Sequence, residues 1–269
     1  MTTRRTVLNG ILAASGAALL SSISQMAFAQ APAKVKVALI APLSGPWARQ
    51  GELMKKGAEL AVADINAAGG VKALGGAKVT LVLFDAGDST EKAKNAAQRM
   101  VAQEPDLVGV TGAWLSSFTL AVSEVTERAE LPMLTLSYAD SITSRGYKYI
   151  FQVSNKASTI GQKQFDYAVE IAKRAGKPIT KAAILYEDTA YGTAQAKGLR
   201  DAAAAAKIPV VLDESYPLNV TDASPLVNKI RASGADLVFP VSYFNDALMI
   251  IRTMKQQKLD IPTVGGAAG

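Results

Sequence analysis

VKVALIAPLSGPWARQG (residues 35–51) passes from an alternating apolar strand, marked by Val35, Val37 and Leu39, through a Pro/Ser/Gly loop into a helix-patterned segment. Ligands of open α/β sheets sit beyond the carboxyl ends of the strands, which makes this loop a candidate binding element. The same alternation continues outward from it. Leu53, Gly57, Leu60, Ala61 and Ile65 fall on one helical face. Strands are predicted at 79–84, 107–110 and 133–136, helices at 91–102 and around Phe118, Val122 and Val125, and an extended exit at 149–153. The pattern then restarts. Helices are predicted around Phe165 and Ala168, at 192–206, at 225–233 and around Leu248 and Ile251, with strands at 182–186, 210–212, 237–241 and 261–264. Strands that alternate with helices predict an α/β fold of two doubly wound parallel-sheet lobes, joined by a hinge near Ser154.

Residues 1–29 carry the marks of an export leader: Arg4 and Arg5, an apolar stretch at 11–20, and Ala27-Phe28-Ala29 as a cleavage signal. Gln30 would then begin the mature chain. The surroundings of the arginine pair fit a twin-arginine signal as well as an ordinary secretory leader, and both readings stay open. The apolar stretch is too short to span a bilayer.

The chain has no cysteine and no histidine. Disulfides, a lipid-bearing cysteine anchor, a histidine-based triad and a thiolate or imidazole zinc site are thereby excluded. No cofactor and no metal are expected. Net charge is +6, of which Arg4 and Arg5 contribute two. The remaining basic residues are scattered rather than clustered with aromatics, so no nucleic-acid partner is expected.

Three loops draw attention. Thr111-Gly112-Ala113-Trp114-Leu115-Ser116-Ser117 follows a predicted strand and opens a helix. Free N–H groups at a helix start attract a carboxylate, and Ser116 and Ser117 add hydroxyls; the alternative is that these serines only cap the helix. Ser137-Tyr138-Ala139-Asp140 follows the next strand at the same edge, with Asp140 a candidate cap. Glu187-Asp188-Thr189-Ala190-Tyr191-Gly192 occupies the corresponding place in the second half. Trp47 could wall a cleft or pack on the adjacent helix. Asp85-Ala86-Gly87-Asp88 lacks the spacing of a calcium loop and reads as a turn. No G-x-S-x-G, G-x-x-x-x-G-K-[ST] or early G-x-G-x-x-G supports an enzyme.

The opening strand, Ser44-Gly45-Pro46, and the helix end Asp64-Ile65-Asn66-Ala67-Ala68-Gly69-Gly70 resemble the periplasmic solute-binding proteins of ABC importers, in the branched-chain amino acid group. The resemblance implies a type I periplasmic binding fold that closes on a small amino acid or organic acid and delivers it to an inner-membrane ABC permease. A monomer without catalytic activity is expected, exported to the periplasm. Domains are expected at 30–153 and 154–264, with 265–269 starting a return crossover whose remainder is missing from a C-terminally truncated chain.

On that resemblance, Ser116 holds the ligand carboxylate, Ser137 offers backbone groups, and Ala139 replaces a usual threonine. Tyr191 and Tyr243 line the cleft from the second lobe. The acidic residue expected against a ligand ammonium falls nearest Ala267, which has no carboxylate. Either Asp188 or Asp246 takes that role, or the ligand lacks an ammonium group. A ligand-sensing receptor subunit on the same fold is the alternative function.

Overall fold

The computed structural model describes residues 34–265 and Ala268. The leader signals and Ala267 lie outside them. The first sheet holds β1 (Lys34–Ala41), β2 (Lys78–Asp85), β3 (Leu107–Gly112), β4 (Met133–Thr135) and β5 (Ile150–Gln152), in spatial order β2-β1-β3-β4-β5 and all parallel. The second holds β6 (Ala182–Glu187), β7 (Val210–Tyr216) and β8 (Leu237–Val241), in order β7-β6-β8, again parallel. Helices connect them: α1 (Ala48–Ala67), α2 (Thr90–Gln103), α3 (Ser116–Arg128), α4 (Ala157–Arg174), α5 (Ala190–Ala205), α6 (Ser224–Ser233) and α7 (Phe244–Gln256). The α/β fold of two parallel-sheet lobes is therefore observed.

Period-two alternation sorts the first sheet. Val110, Met133 and Ile150 form one register row, buried against Phe118, Val122 and Val125. The next row, Thr111, Leu134 and Phe151, points the other way, and Leu134 and Phe151 are solvent-exposed. Leu136 and Val153, in step with Leu134 and Phe151, extend that uncovered apolar face.

The stripe on α1 departs from expectation. Leu53, Gly57, Leu60, Ala61 and Ile65 share a face, but that face is exposed, and Gly51 is the buried residue of α1. Periodicity identifies a stripe without saying what covers it.

β7 runs further than its apolar start suggests, because an edge strand tolerates solvent-facing Asp213 and Ser215. The strand expected at 261–264 reduces to a single bridge between Thr263 and Val238. Pro262 has no N–H to extend the ladder.

Candidate functional site

The carboxyl ends of β1, β3, β4, β6 and β8 deliver their loops to one seam between the lobes. Gly112, Ala113 and Trp114 all have positive φ (121°, 66° and 57°), which turns the chain sharply from β3 into α3. A Cβ on Gly112 would run into the Ile40 carbonyl, so this close approach requires glycine. For the other two residues the left-handed backbone is a strain placed at the seam.

Neither serine caps α3. Leu115 occupies the N-cap position without a side-chain bond. Ser116, 2% exposed, turns its Oγ to accept the Ala139 N–H at 3.1 Å. Ser117 is half-buried.

Ser137 differs from the role expected of it. Its N–H donates to Thr135 Oγ1 at 3.1 Å, and its carbonyl accepts from Gln152 Nε2 at 2.8 Å and Ser154 Oγ at 2.9 Å. Its hydroxyl donates to the Trp114 carbonyl at 2.8 Å. Those groups are thus engaged inside the first lobe, where they pin the Trp114 turn. Ala139 is fully buried. Asp140 caps no local turn: its carboxylate accepts the Ser158 N–H at 3.0 Å at the start of α4. Asp85 accepts amides from Leu43 at 2.9 Å and Gly87 at 2.8 Å, the geometry of a turn.

Aromatic rings join the lobes. Trp114 meets Tyr243 with centroids 5.1 Å apart, Tyr243 meets Tyr191 at 5.2 Å, and Tyr191 meets Tyr138 at 5.9 Å. The Arg49 guanidinium lies 5.0 Å from the Phe244 ring centre, and Asn245 Nδ2 donates to the Pro46 carbonyl at 3.2 Å. Tyr191 and Tyr243 are 1% and 3% exposed, too deep for simple sheet-edge packing. The Tyr191 hydroxyl accepts the Ala268 N–H at 3.3 Å. Burial pushes the Tyr243 phenol well above its usual pKa, and its hydroxyl makes hydrogen-bond interactions with the Ser116 N–H and the Thr189 hydroxyl.

Two cavities flank this contact. One of about 280 Å³ is lined by Arg49, Gln50, Leu53, Trp114 and Tyr138 from the first lobe and by Phe244 and Ala268. The other, about 410 Å³, lies where Trp47 and Pro46 face Asn245 and Asp246. Trp47 also sets its ring edge-on to Phe118 at 5.8 Å, so it both packs and lines. Larger hollows of about 430 and 530 Å³ lie toward the amino ends of the second sheet, away from the strand ends that bind ligands.

The acids sort differently from the sequence expectation. Asp188 is exposed. Its neighbour Glu187, the last residue of β6, is fully buried. Thr189 Oγ1 donates to Glu187 Oε1 at 2.9 Å, while Oε2 has no hydrogen-bond partner among the described residues. Loss of water raises the Glu187 carboxyl to about 9; the Thr189 bond opposes this and the Asp246 charge adds to it. Asp246 is 5% exposed, accepts the Tyr216 hydroxyl at 2.7 Å, and is raised by burial to about 6.

Sequence reading missed Trp114, Tyr138, Gln50 and Glu187. The signal for Glu187 was strand parity: it follows the buried Ala183 and Leu185 on one face of β6, past the half-buried Tyr186, with Asp188 one step beyond the strand.

Residues 34–269 match the family described as periplasmic binding protein. Leu/Ile/Val-binding protein homolog 8 of Brucella suis is 37% identical over 262 residues, 94% of this chain and 63% of the relative. Homolog 7 of Brucella melitensis is 34% identical, covering 96% and 63%. The chain thus spans under two thirds of the length of these curated relatives.

Among solved structures, the branched-chain amino acid transporter substrate-binding protein LivJ of Streptococcus pneumoniae, in complex with isoleucine, superposes with TM-score 0.77 at 26% identity, over 87% of this chain and 64% of that one. An ABC-transporter solute-binding protein of Rhodopseudomonas palustris, in complex with 3,4-dihydroxybenzoic acid, gives 0.76 at 20% identity over 87% and 62%, a likeness of fold. These relatives are binding proteins, not enzymes. With its parallel-sheet lobes meeting at strand carboxyl ends and all its described residues matched, this chain belongs to the periplasmic binding protein family.

Proposed function

We propose that the chain is the solute-capturing part of a periplasmic ABC-importer binding protein, taking a branched-chain amino acid or a related small carboxylate-bearing solute between its lobes and presenting it to an inner-membrane permease. The carrying observation is the start of α3: the Ser116 amide, at the positive end of a helix, is met by a phenol from the opposite lobe. A carboxylate entering between the lobes would compete for that donor. Trp114, Tyr138, Tyr191 and Tyr243 surround the place with apolar rings that suit a short aliphatic side chain. A cavity of about 280 Å³ suits a small solute rather than a peptide or sugar chain. The isoleucine held by the LivJ structure is of this size and chemistry.

A thermal-shift screen of amino acids, aliphatic acids, aromatic acids and amides tests this reading. A ligand at 100 times its dissociation constant adds about 2.7 kcal/mol and should raise the midpoint by roughly 5–10 °C. No shift with any small carboxylate would sink the proposal.

A further inference from the structure

The two cavities that flank the seam are lined by charges of opposite sign. Asp88 and Asp246 line the one of about 410 Å³, which has no lysine or arginine in its wall. Arg49 lines the one of about 280 Å³, which has no acid in its wall. Arg49 stands in the first turn of α1, a turn without an acidic residue, so the positive end of that helix adds to its charge. It makes no ion pair and no hydrogen bond among the described residues. Glu52, three residues on, faces Lys55 instead, at 3.7 Å. What holds Arg49 comes from the other lobe: its guanidinium sits over the Phe244 ring, 5.0 Å from the centre. A guanidinium held by its face keeps its in-plane N–H donors for another partner.

Trp114, two residues before Ser116, lines the same cavity as Arg49, and so does Tyr138. A solute whose carboxylate meets the Ser116 amide and whose carbon chain follows these rings therefore extends toward a cation that no acid of the cavity wall neutralises. We propose that the solute carries a second carboxylate, and that Arg49 is the specificity-determining residue that takes it. The inference rests on the carboxylate-capture reading above and narrows it to small dicarboxylates. The methylene chain packs against Trp114 and Tyr138, while the distal carboxylate accepts paired N–H groups from the guanidinium fork. Phe244 opens α7 in the second lobe, so the contact that orders Arg49 forms only where the lobes meet. The closed form is the one that reads the second charge.

The test is calorimetric titration of the chain with succinate, glutarate and adipate, each against the monocarboxylate of the same chain length: butanoate, pentanoate and hexanoate. At least one diacid should bind about tenfold or more tightly than its partner, the usual worth of a charge-assisted bond. In Arg49→Gln that advantage should fall to near unity while the affinity of the monocarboxylate holds. Equal affinities in all three pairs would overturn the assignment and leave carboxylate capture intact, as would binding of some other small acid but of no diacid. Loss of both members of a pair by the same factor in Arg49→Gln would make Arg49 a strap between the lobes and would also overturn it. Binding of no small carboxylate at all would overturn both readings. The wild-type comparison stands even if the variant fails to fold.

Discussion

Tyr243 precedes α7 in the second lobe, yet its hydroxyl interacts with the Ser116 amide at the start of α3 in the first. The two residues lie far apart in sequence and on different sheets. Their contact makes the buried phenol part of lobe closure as well as of the cleft wall.

Removing that hydroxyl leaves the Ser116 amide and the Thr189 hydroxyl without one partner each. Tyr243→Phe should lower stability by about 1–3 kcal/mol, the usual cost of orphaned buried polar groups. Urea denaturation of the ligand-free chain measures it. A change under about 0.5 kcal/mol, the surface range, would mean that water already replaces the contact.

Ser116 and Ser117 should separate cleanly. Ser116→Ala orphans the buried Ala139 amide and removes a hydroxyl at the proposed carboxylate position. Stability should fall by about 1–3 kcal/mol, and affinity for the best ligand by a similar amount. Ser117→Ala should stay within about 0.5 kcal/mol on both measures. Equal effects from the two variants would remove Ser116 from the site.

Gly112 is the backbone pivot of the α3 turn. Gly112→Ala combines a strained φ with a collision against the Ile40 carbonyl and should cost about 3 kcal/mol or more. Soluble expression and thermal midpoint check this. A midpoint within a few degrees of wild type would show that β1 and β3 can separate without loss.

Stability should decline with pH in a range where most proteins are steady. Glu187 is raised from 4.5 to about 9, so between these values the folded chain binds more protons than the unfolded one. Its stabilising contribution is full below about 4.5 and lost as pH rises toward 9, by at most about 1.4 kcal/mol per unit. Asp246, raised from 3.8 to about 6, acts the same way at lower pH. Denaturation of the ligand-free chain from pH 5 to 9 should show the fall, and Glu187→Gln should flatten it above about pH 6.5. Parallel curves for the two proteins would mean that Glu187 is ionised when folded.

The uncovered rows of the first sheet and of α1 should bind a hydrophobic dye. Phe151→Ser with Leu134→Ser should reduce that fluorescence while leaving the Val110, Met133 and Ile150 row packed. Unchanged fluorescence would place the dye elsewhere.

The sequence by itself determined the alternation of strand and helix, the parallel sheets and the loops that follow β3, β4, β6 and β8. These depend on local periodicity and turn chemistry, which a chain carries wherever it folds. Ser116, Tyr191 and Tyr243 were named from the family resemblance together with their places after predicted strands. Tertiary structure alone decided that Ser137 turns its backbone inward, that Glu187 rather than Asp188 is buried, and that Trp114 and Tyr138 cross the seam. It also decided that the α1 stripe faces solvent. Burial and hydrogen-bond partnership belong to pairs of elements distant in sequence, and a one-residue step along β6 exchanges a buried acid for an exposed one.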